Sequence, residues 1–474
     1  MNTTLPCPYA KKCGGCQLQN LTYEEQLHNK QVKLIRMLGR YGHVEEILGM
    51  ENPTHYRNKI QSAFRSKSGK VISGVYQSSS RHIIEVDACM LEDACAAPIL
   101  KTIRKMCVNF KVKPYDLMTG KGFLRHVLIR RGFFSGEIMV VLVTAKGDFK
   151  SAQSFVNELI RRHPEITTVV WNVNASETPL MLGNKNEVLY GAGYITDKLC
   201  GLTFRISPRS FYQVNPVQTE ALYAKAKEFA ALTGKEKVID AYCGTGTIGL
   251  CMADAAKEVI GVEINKDAIA DAKVNAALNG VSNATFLSGD AGQFMADMAR
   301  QGESADVVIT DPPRAGCSRE FLQSLLTLSP ARIVYVSCNP ETLARDLYSL
   351  TKGGYKVRKI QPVDLFPYTG HVETVVLLSK GNIDSKKIRV EFSLEDMDMS
   401  EFQNDATYPQ IKEYVFEHTG LKVSSLYIAQ VKQKCGIIER ENYNKPKSEN
   451  HKQPKCPPEK EKAIMEALKY FGMI

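Results

Sequence analysis

The chain has 474 residues, 44% hydrophobic and 24% charged, ordinary for a globular protein and long enough for about two to four domains. It contains neither a run of eighteen apolar residues nor the apolar core of a signal peptide, so a membrane span and secretion are not expected and a cytoplasmic location is. The formal net charge is +10, all of it in the first 380 residues because residues 381–474 carry 15 basic and 15 acidic groups, and the excess points to an anionic partner.

Residues 1–20 are irregular and rich in cysteine. The segment CPYAKKCGGCQ places Cys7, Cys13 and Cys16 with gaps of five and two residues, and Cys89 in VDACML supplies a possible fourth ligand. In a reducing compartment such cysteines point to metal, cluster or catalytic chemistry rather than disulfides. Four thiolates suit zinc or an iron–sulfur cluster, and the gap of five residues is wide for a zinc pair.

The apolar spacing of 22–42 predicts a helix ending at Gly42, followed by short strands between Tyr56 and Asp87. A helix over 97–110, strands over 123–133 and 137–145, a helix over 151–163 and a strand over 167–175 predict a compact α+β domain. From about Lys237 strands alternate with helices, which predicts a doubly wound α/β sheet. The expected division is 1–90, a central α+β domain 91–200, a Rossmann-like domain 201–382 and a small helical extension 383–474. The extension reads as helix–turn–helix, a polar loop and a closing helix, so nucleic-acid binding is one reading and plain packing the other.

Chemistry gathers in the doubly wound segment. VIDAYCGTGTIGL (238–250) is a strand, a glycine turn and a helix start; Gly244 and Gly246 allow close approach to a ligand, and Asp240 can take an amino group or a water. Glu263, nineteen residues beyond Gly244, is placed to bind ribose hydroxyls. The loop lacks a third dinucleotide-type glycine unless Gly249 serves, and DAYCGTG is closer to an S-adenosylmethionine loop. Asp311 in DPPR and Cys338 in VSCNP also stand at predicted strand ends, where ligands of open parallel sheets bind.

A thiolate adding to C6 of a pyrimidine makes C5 nucleophilic toward a methyl sulfonium, after which a base must remove the C5 proton. Cys338 fits the first part, and the helix start at Asn339-Pro340 is expected to favour its thiolate. GHVETVVLLS (370–379) offers His371 and Glu373 as bases, Glu373 being preferred. Cys317 and Cys243 are rival thiols.

SFYQVNP (210–216), DAYCGTGTIGL, DPPRAG (311–316), SCNPETLARDL (337–347) and GHVETV (370–375), in this order, resemble the RNA uracil-5 methyltransferase family over roughly residues 5–380. The resemblance implies Cys338 as nucleophile, Glu373 as proton acceptor, and Gln213, Tyr242, Glu263 and Asp311 as S-adenosylmethionine contacts. It further implies a [4Fe-4S] cluster on Cys7, Cys13, Cys16 and Cys89, as in the branch that methylates 23S rRNA. Only six residues precede Cys7, so the family's N-terminal β-barrel RNA-binding domain is expected to be absent.

RNA grip is then expected from residues 55–70 and 123–134, which alternate basic and aromatic positions, unless these are merely solvated sheet faces. The expected function is formation of 5-methyluridine in RNA, with 23S rRNA preferred over tRNA, by a monomer that does not contact a membrane. A non-catalytic RNA-binding or assembly factor on the same fold is the reading from another class. An amino-methyltransferase would want an aromatic residue where Arg314 stands.

Overall fold

The computed structural model describes residues 7–77, 82–117, 119–175, 181–380, 408–435 and 456–470. The chain forms two compact units, Met1–Ser385 and Lys386–Ile474.

The first unit opens with α1 (Ala10–Cys13) and α2 (Tyr23–Leu38). Thr22 and Glu25 close a reciprocal capping box that starts α2 where the sequence places it. Then come β1 (Lys59–Lys67), β2 (Lys70–Tyr76), β3 (Ile83–Glu85), α3 (Ala96–Asn109), β4 (Leu124–Arg131), β5 (Ile138–Thr144), α4 (Ala152–Arg162), β6 (Ile166–Val173) and β7 (Lys185–Tyr190). They make one sheet of order β3-β2-β1-β4-β5-β6-β7. On one face Ile99, Ile103, Phe155 and Leu159 of the two helices pack on Val127, Ile129, Val140 and Leu142. The other face, with Leu128, Met139 and Val141, shares a core with Phe204, Tyr212 and Leu222. Covered on both sides, β5 is buried at every position, which is why IMVVLVT reads as a continuous apolar run.

This sheet crosses the division expected near residue 90, because β1 pairs with β4 in antiparallel register. The segment before it belongs elsewhere. Leu34 and Leu38 of α2 pack with Leu343 and Leu347, and Val44 and Leu48 pair with Ile360 and Val363. An open strand edge is thereby covered. Residues 1–90 are therefore split between two sheets, not one domain.

A hairpin not read from the sequence follows, β8 (Ile195–Leu199) and β9 (Leu202–Ile206). Cys200 and Gly201 at its turn have φ of 51° and 78°, the pattern of a tight two-residue hairpin.

The second sheet contains β10 (Lys237–Ala241), β11 (Glu258–Glu263), β12 (Ala284–Ser288), β13 (Val307–Thr310), β14 (Arg332–Ser337), β15 (Tyr355–Val363) and β16 (Glu373–Lys380). With them go α5 (Pro216–Ala230), α6 (Thr247–Met252), α7 (Lys266–Leu278), α8 (Ala291–Arg300), α9 (Arg319–Leu328) and α10 (Pro340–Lys352). The order is β12-β11-β10-β13-β14-β16-β15, and β16 runs antiparallel to both neighbours. The doubly wound expectation holds, with one reversed strand wedged between β14 and β15.

The second unit has α11 (Tyr408–Thr419), α12 (Ser425–Lys434) and α13 (Pro458–Tyr470) around Ile411, Val415, Ile428, Val431, Ile464 and Leu468. The polar loop expected between the last two lies largely outside the described residues. Among the described residues no helix is long and apolar enough to cross a membrane.

Candidate active site

The chain leaves β10 for β11 and β12 on one side and returns through β13 and β14 on the other. The crevice at the carboxyl ends of β10 and β13 is therefore the switch point where ligands of such sheets bind. Asp240, fully buried at the end of β10, accepts from the Gly249 N–H through Oδ2 at 2.8 Å. Its Oδ1 has no partner among the described residues. Burial pushes its carboxyl up to about 7, against the Gly249 N–H, with Asp311 and Glu263 adding to the rise.

The turn after β10 takes positive φ at Tyr242, Gly244 and Gly246. A Cβ at Gly246 would stand 2.8 Å from the Phe286 ring, so this glycine answers both to conformation and to space. Glu263, ending β11, braces the turn by accepting from the N–H groups of Gly244 (3.3 Å) and Asn265 (2.9 Å). The loop before α5 lies against it: Thr245 Oγ1 donates to Phe211 O at 3.3 Å. Asn58 holds the same loop, donating to Gln213 O at 3.1 Å and Val214 O at 3.0 Å. Tyr242, Gln213, Gly244, Gly246, Glu263 and Asp311 thus gather around one crevice from distant parts of the chain.

Cys338 and Glu373 meet through sheet register. The β14–β16 ladder ends on Ser337 facing Thr374, so Cys338 just beyond β14 and Glu373 at the start of β16 stand at the same end of the two strands, within electrostatic reach of each other. Glu373 is buried, and burial followed by Asp311 pushes its carboxyl up to about 8, opposed by Arg314. Such a group is poised to exchange a proton near neutrality. Burial, then Glu373 and Asp311, push the Cys338 thiol up to about 11, again opposed by Arg314. The sequence leads one to expect a lowered thiol here; burial and the two acids instead raise it.

The rival thiols are enclosed. Cys317 is 5% exposed, lies 3.5 Å from Tyr335 Oη, and is pushed up to about 12 by burial. Cys243 is buried behind the glycine turn, and burial raises its thiol strongly. Cys338 alone of the three is partly open.

Straps that the sequence reading did not identify hold the DPPRAGC loop to α10. Asn339 and Thr342 donate to Arg314 O, and Arg345 donates to Ala315 O and Cys317 O. Asp346, fully buried, accepts from Tyr335 Oη (2.6 Å) and the Cys317 N–H (2.8 Å). The available signal was an acid on the apolar face that Leu343, Leu347 and Leu350 mark. Arg314 also donates to His371 Nε2 at 3.4 Å.

In the second of the two stretches expected to grip RNA, three arginines instead serve the protein. Arg125 donates to Asn174 O, Arg130 is buried and donates to Ser210 O, and Arg131 pairs with Asp93.

Cys89, Cys13 and Cys7 are all within electrostatic reach of Cys16, whose thiol is pushed up to about 12 first by burial and then by these three in turn. Four thiols are a donor set chemically suited to a thiophilic centre. Even so, no group of three His, Cys, Asp or Glu side chains among the described residues is arranged to hold a metal ion.

A family profile described as tRNA (Uracil-5-)-methyltransferase matches residues 22–381. An uncharacterized RNA methyltransferase of Oceanobacillus iheyensis is 44% identical over 373 residues, covering 77% of this chain and 81% of that protein. One of Clostridium tetani is 45% identical over 378 residues, covering 79% and 82%. Among solved structures, a Pyrococcus abyssi tRNA (uracil-54, C5)-methyltransferase in complex with S-adenosyl-L-homocysteine is 30% identical, with a TM-score of 0.65 over 77% of this chain and 86% of that one.

Proposed function

The chain belongs to the tRNA (uracil-5-)-methyltransferase family, and we propose from this that it methylates C5 of a uridine in RNA. The observation that carries the reading is that a partly open thiol, Cys338, and a buried carboxyl, Glu373, stand at the same end of the paired strands β14 and β16, within electrostatic reach of each other.

S-adenosylmethionine supplies the methyl group when bound. Asp240 Oδ1, buried and unpartnered, suits a cofactor amino group, and Glu263 suits ribose hydroxyls. Gln213, Tyr242, Asp311 and the amides of Gly244 and Gly246 complete the crevice. With its proton lost to solvent, Cys338 Sγ bonds to C6 of the uracil, and C5 gains enolate-like electron density and takes the methyl as the sulfonium C–S bond breaks to leave a neutral thioether. Glu373 accepts the C5 proton, and the C6–S bond breaks to release the thiolate and restore the ring.

The target proposed is 23S rRNA. Support comes from the Cys7, Cys13, Cys16 and Cys89 pattern, read as the ligands of a [4Fe-4S] cluster, and from the proximity of the other three thiols to Cys16. The tRNA reading is favoured by the Pyrococcus abyssi tRNA enzyme at 30% identity. Base-resolution mapping of 5-methyluridine in rRNA and tRNA, with and without the protein, tests both. A site in 23S rRNA that vanishes without the protein is expected. Loss of a tRNA site alone establishes the second reading, and retention of every site contradicts both.

A further inference from the structure

The loop that delivers Glu373 to the site begins at Asp364 and is held by its own turn at Thr369 and by groups from elsewhere in the chain. Tyr368 has a φ of +66°, strained for a residue with a bulky side chain. Such a conformation persists only where its surroundings fix it; Tyr56 donates to Pro367 O, and Asn215 and Gln218 to Leu365 O and Asp364 O, but the groups that reach Tyr368 and Gly370 come from residues 17–26. Gln26, fully buried on α2, accepts from the Tyr368 N–H through Oε1 at 2.8 Å while its Nε2 donates to Leu21 O at 3.0 Å. Lys30, one turn on and also buried, donates to Asp364 Oδ1 at 2.6 Å and Phe366 O at 3.1 Å. The Leu18 N–H donates to Tyr368 O at 3.0 Å. Gln17 accepts from the Gly370 N–H at 3.1 Å, and its Nε2 reaches Gly14 O at 2.8 Å, in the turn between Cys13 and Cys16.

The first half of α2 therefore turns an amide and an ammonium inward, where an amphipathic helix would bury apolar groups; Leu34 and Leu38 do so in its second half. Burying such groups is unfavourable unless each finds a partner, and every partner named here except Leu21 O and Gly14 O lies on the loop from Asp364 to Gly370. The same loop continues through His371, the partner of Arg314, to Glu373.

We propose that Gln26 and Gln17 are positioning residues that seat the loop bearing the proton-accepting Glu373, with Gln17 also tying that loop to the cysteine turn. The inference rests on the reading of Glu373 as base. It predicts a selective defect. Thiol addition and methyl transfer use Cys338 and the crevice around β10, with which neither Gln26 nor Gln17 shares a hydrogen bond. Only removal of the C5 proton, and hence release of the Cys338–C6 bond, depends on the seating of the loop.

The test uses ordinary uridine-containing target RNA and the full chain. Gln26→Met removes both polar ends at nearly constant volume, Gln26→Glu keeps the accepting oxygen, and Gln17→Ala probes the exposed end without disturbing the core. Expected are kcat losses of about tenfold for Gln26→Met and about threefold for Gln17→Ala, the range that loss of one such hydrogen bond spans. S-adenosylhomocysteine affinity should be unchanged, a denaturation-stable protein–RNA adduct should accumulate, and Gln26→Glu should recover turnover. Glu373→Gln serves as the reference and should accumulate the same adduct. If it does not, the reading of Glu373 as base fails. If it does while Gln17→Ala and Gln26→Met turn over without adduct, the positioning role is overturned. Cofactor binding lost in step with turnover in Gln26→Met overturns it too. Should Gln26→Met not fold, Gln17→Ala decides.

Discussion

At the residue scale the account turns on which groups hold protons. Glu373 must be ionised to accept the C5 proton, and burial lifts it to about 8. The rate at which the covalent adduct breaks down should therefore rise with pH and level off above about 8, and Glu373→Gln should lower kcat by about two to four orders of magnitude and remove that limb. The same group makes a statement about stability. A carboxyl whose folded pKa exceeds its unfolded value contributes stability in full below the unfolded value and loses it as pH rises through the folded one. Glu373 starts from 4.5, and Asp240 and Asp311, both lifted to about 7, start from 3.8. The melting temperature of the ligand-free protein should accordingly fall between about pH 4 and pH 8. Asp240→Asn and Asp311→Asn should flatten that slope in thermal scans, and a slope that persists in both would assign it elsewhere. The positions of Cys338 and Asp311 were legible from their strand-end motifs. The burial of Glu373 was not, because a Glu opening a strand normally faces water, and only the pairing of β16 between two partners encloses it.

At the scale of elements, the parallel strands were legible because each is a short apolar run ending in a chemically loaded turn. The edge strand β7 was not, since KNEVLY is polar and mostly exposed. Nor was the role of the arginines on β4, whose basic–aromatic alternation resembles an RNA-binding strand. Their acceptors, Asn174 O, Asp93 and Ser210 O, lie far along the chain, so no local pattern announces them. The glycine turn and the N-terminus of α10 carry their own predictions. Gly246→Ala combines a φ of +80° with a Cβ 2.8 Å from Phe286, and should cost about 1–3 kcal/mol in chemical denaturation and weaken S-adenosylhomocysteine binding measured by calorimetry. Asn339→Ala removes the cap of α10 and one strap to Arg314 O, and should cost about 1–2 kcal/mol.

At the scale of the whole molecule, the expected boundary near residue 90 failed for a physical reason. Residues 44–48 are spent covering the edge of β15, and β1 crosses to pair with β4. Composition changes at neither place, so the sequence reading had nothing to mark the division. The boundary expected at 382 falls close to the observed break at Ser385, where charge balance and pattern both change. The second unit has its own core and lies beyond the family match, which ends at 381. A chain ending at Ser385 should therefore keep its melting transition within a few degrees and retain cofactor binding; loss of either would place the second unit in the first unit's stability.

The most direct test of the central claim is covalent capture. A fluorine at C5 cannot leave as a proton does, so RNA carrying 5-fluorouridine at the target should stall with its C6 bonded to the enzyme. Peptide mapping of that adduct should locate it on Cys338, and Cys338→Ala should form none. An adduct on Cys317, or none with any RNA that the active protein methylates, would contradict the assignment.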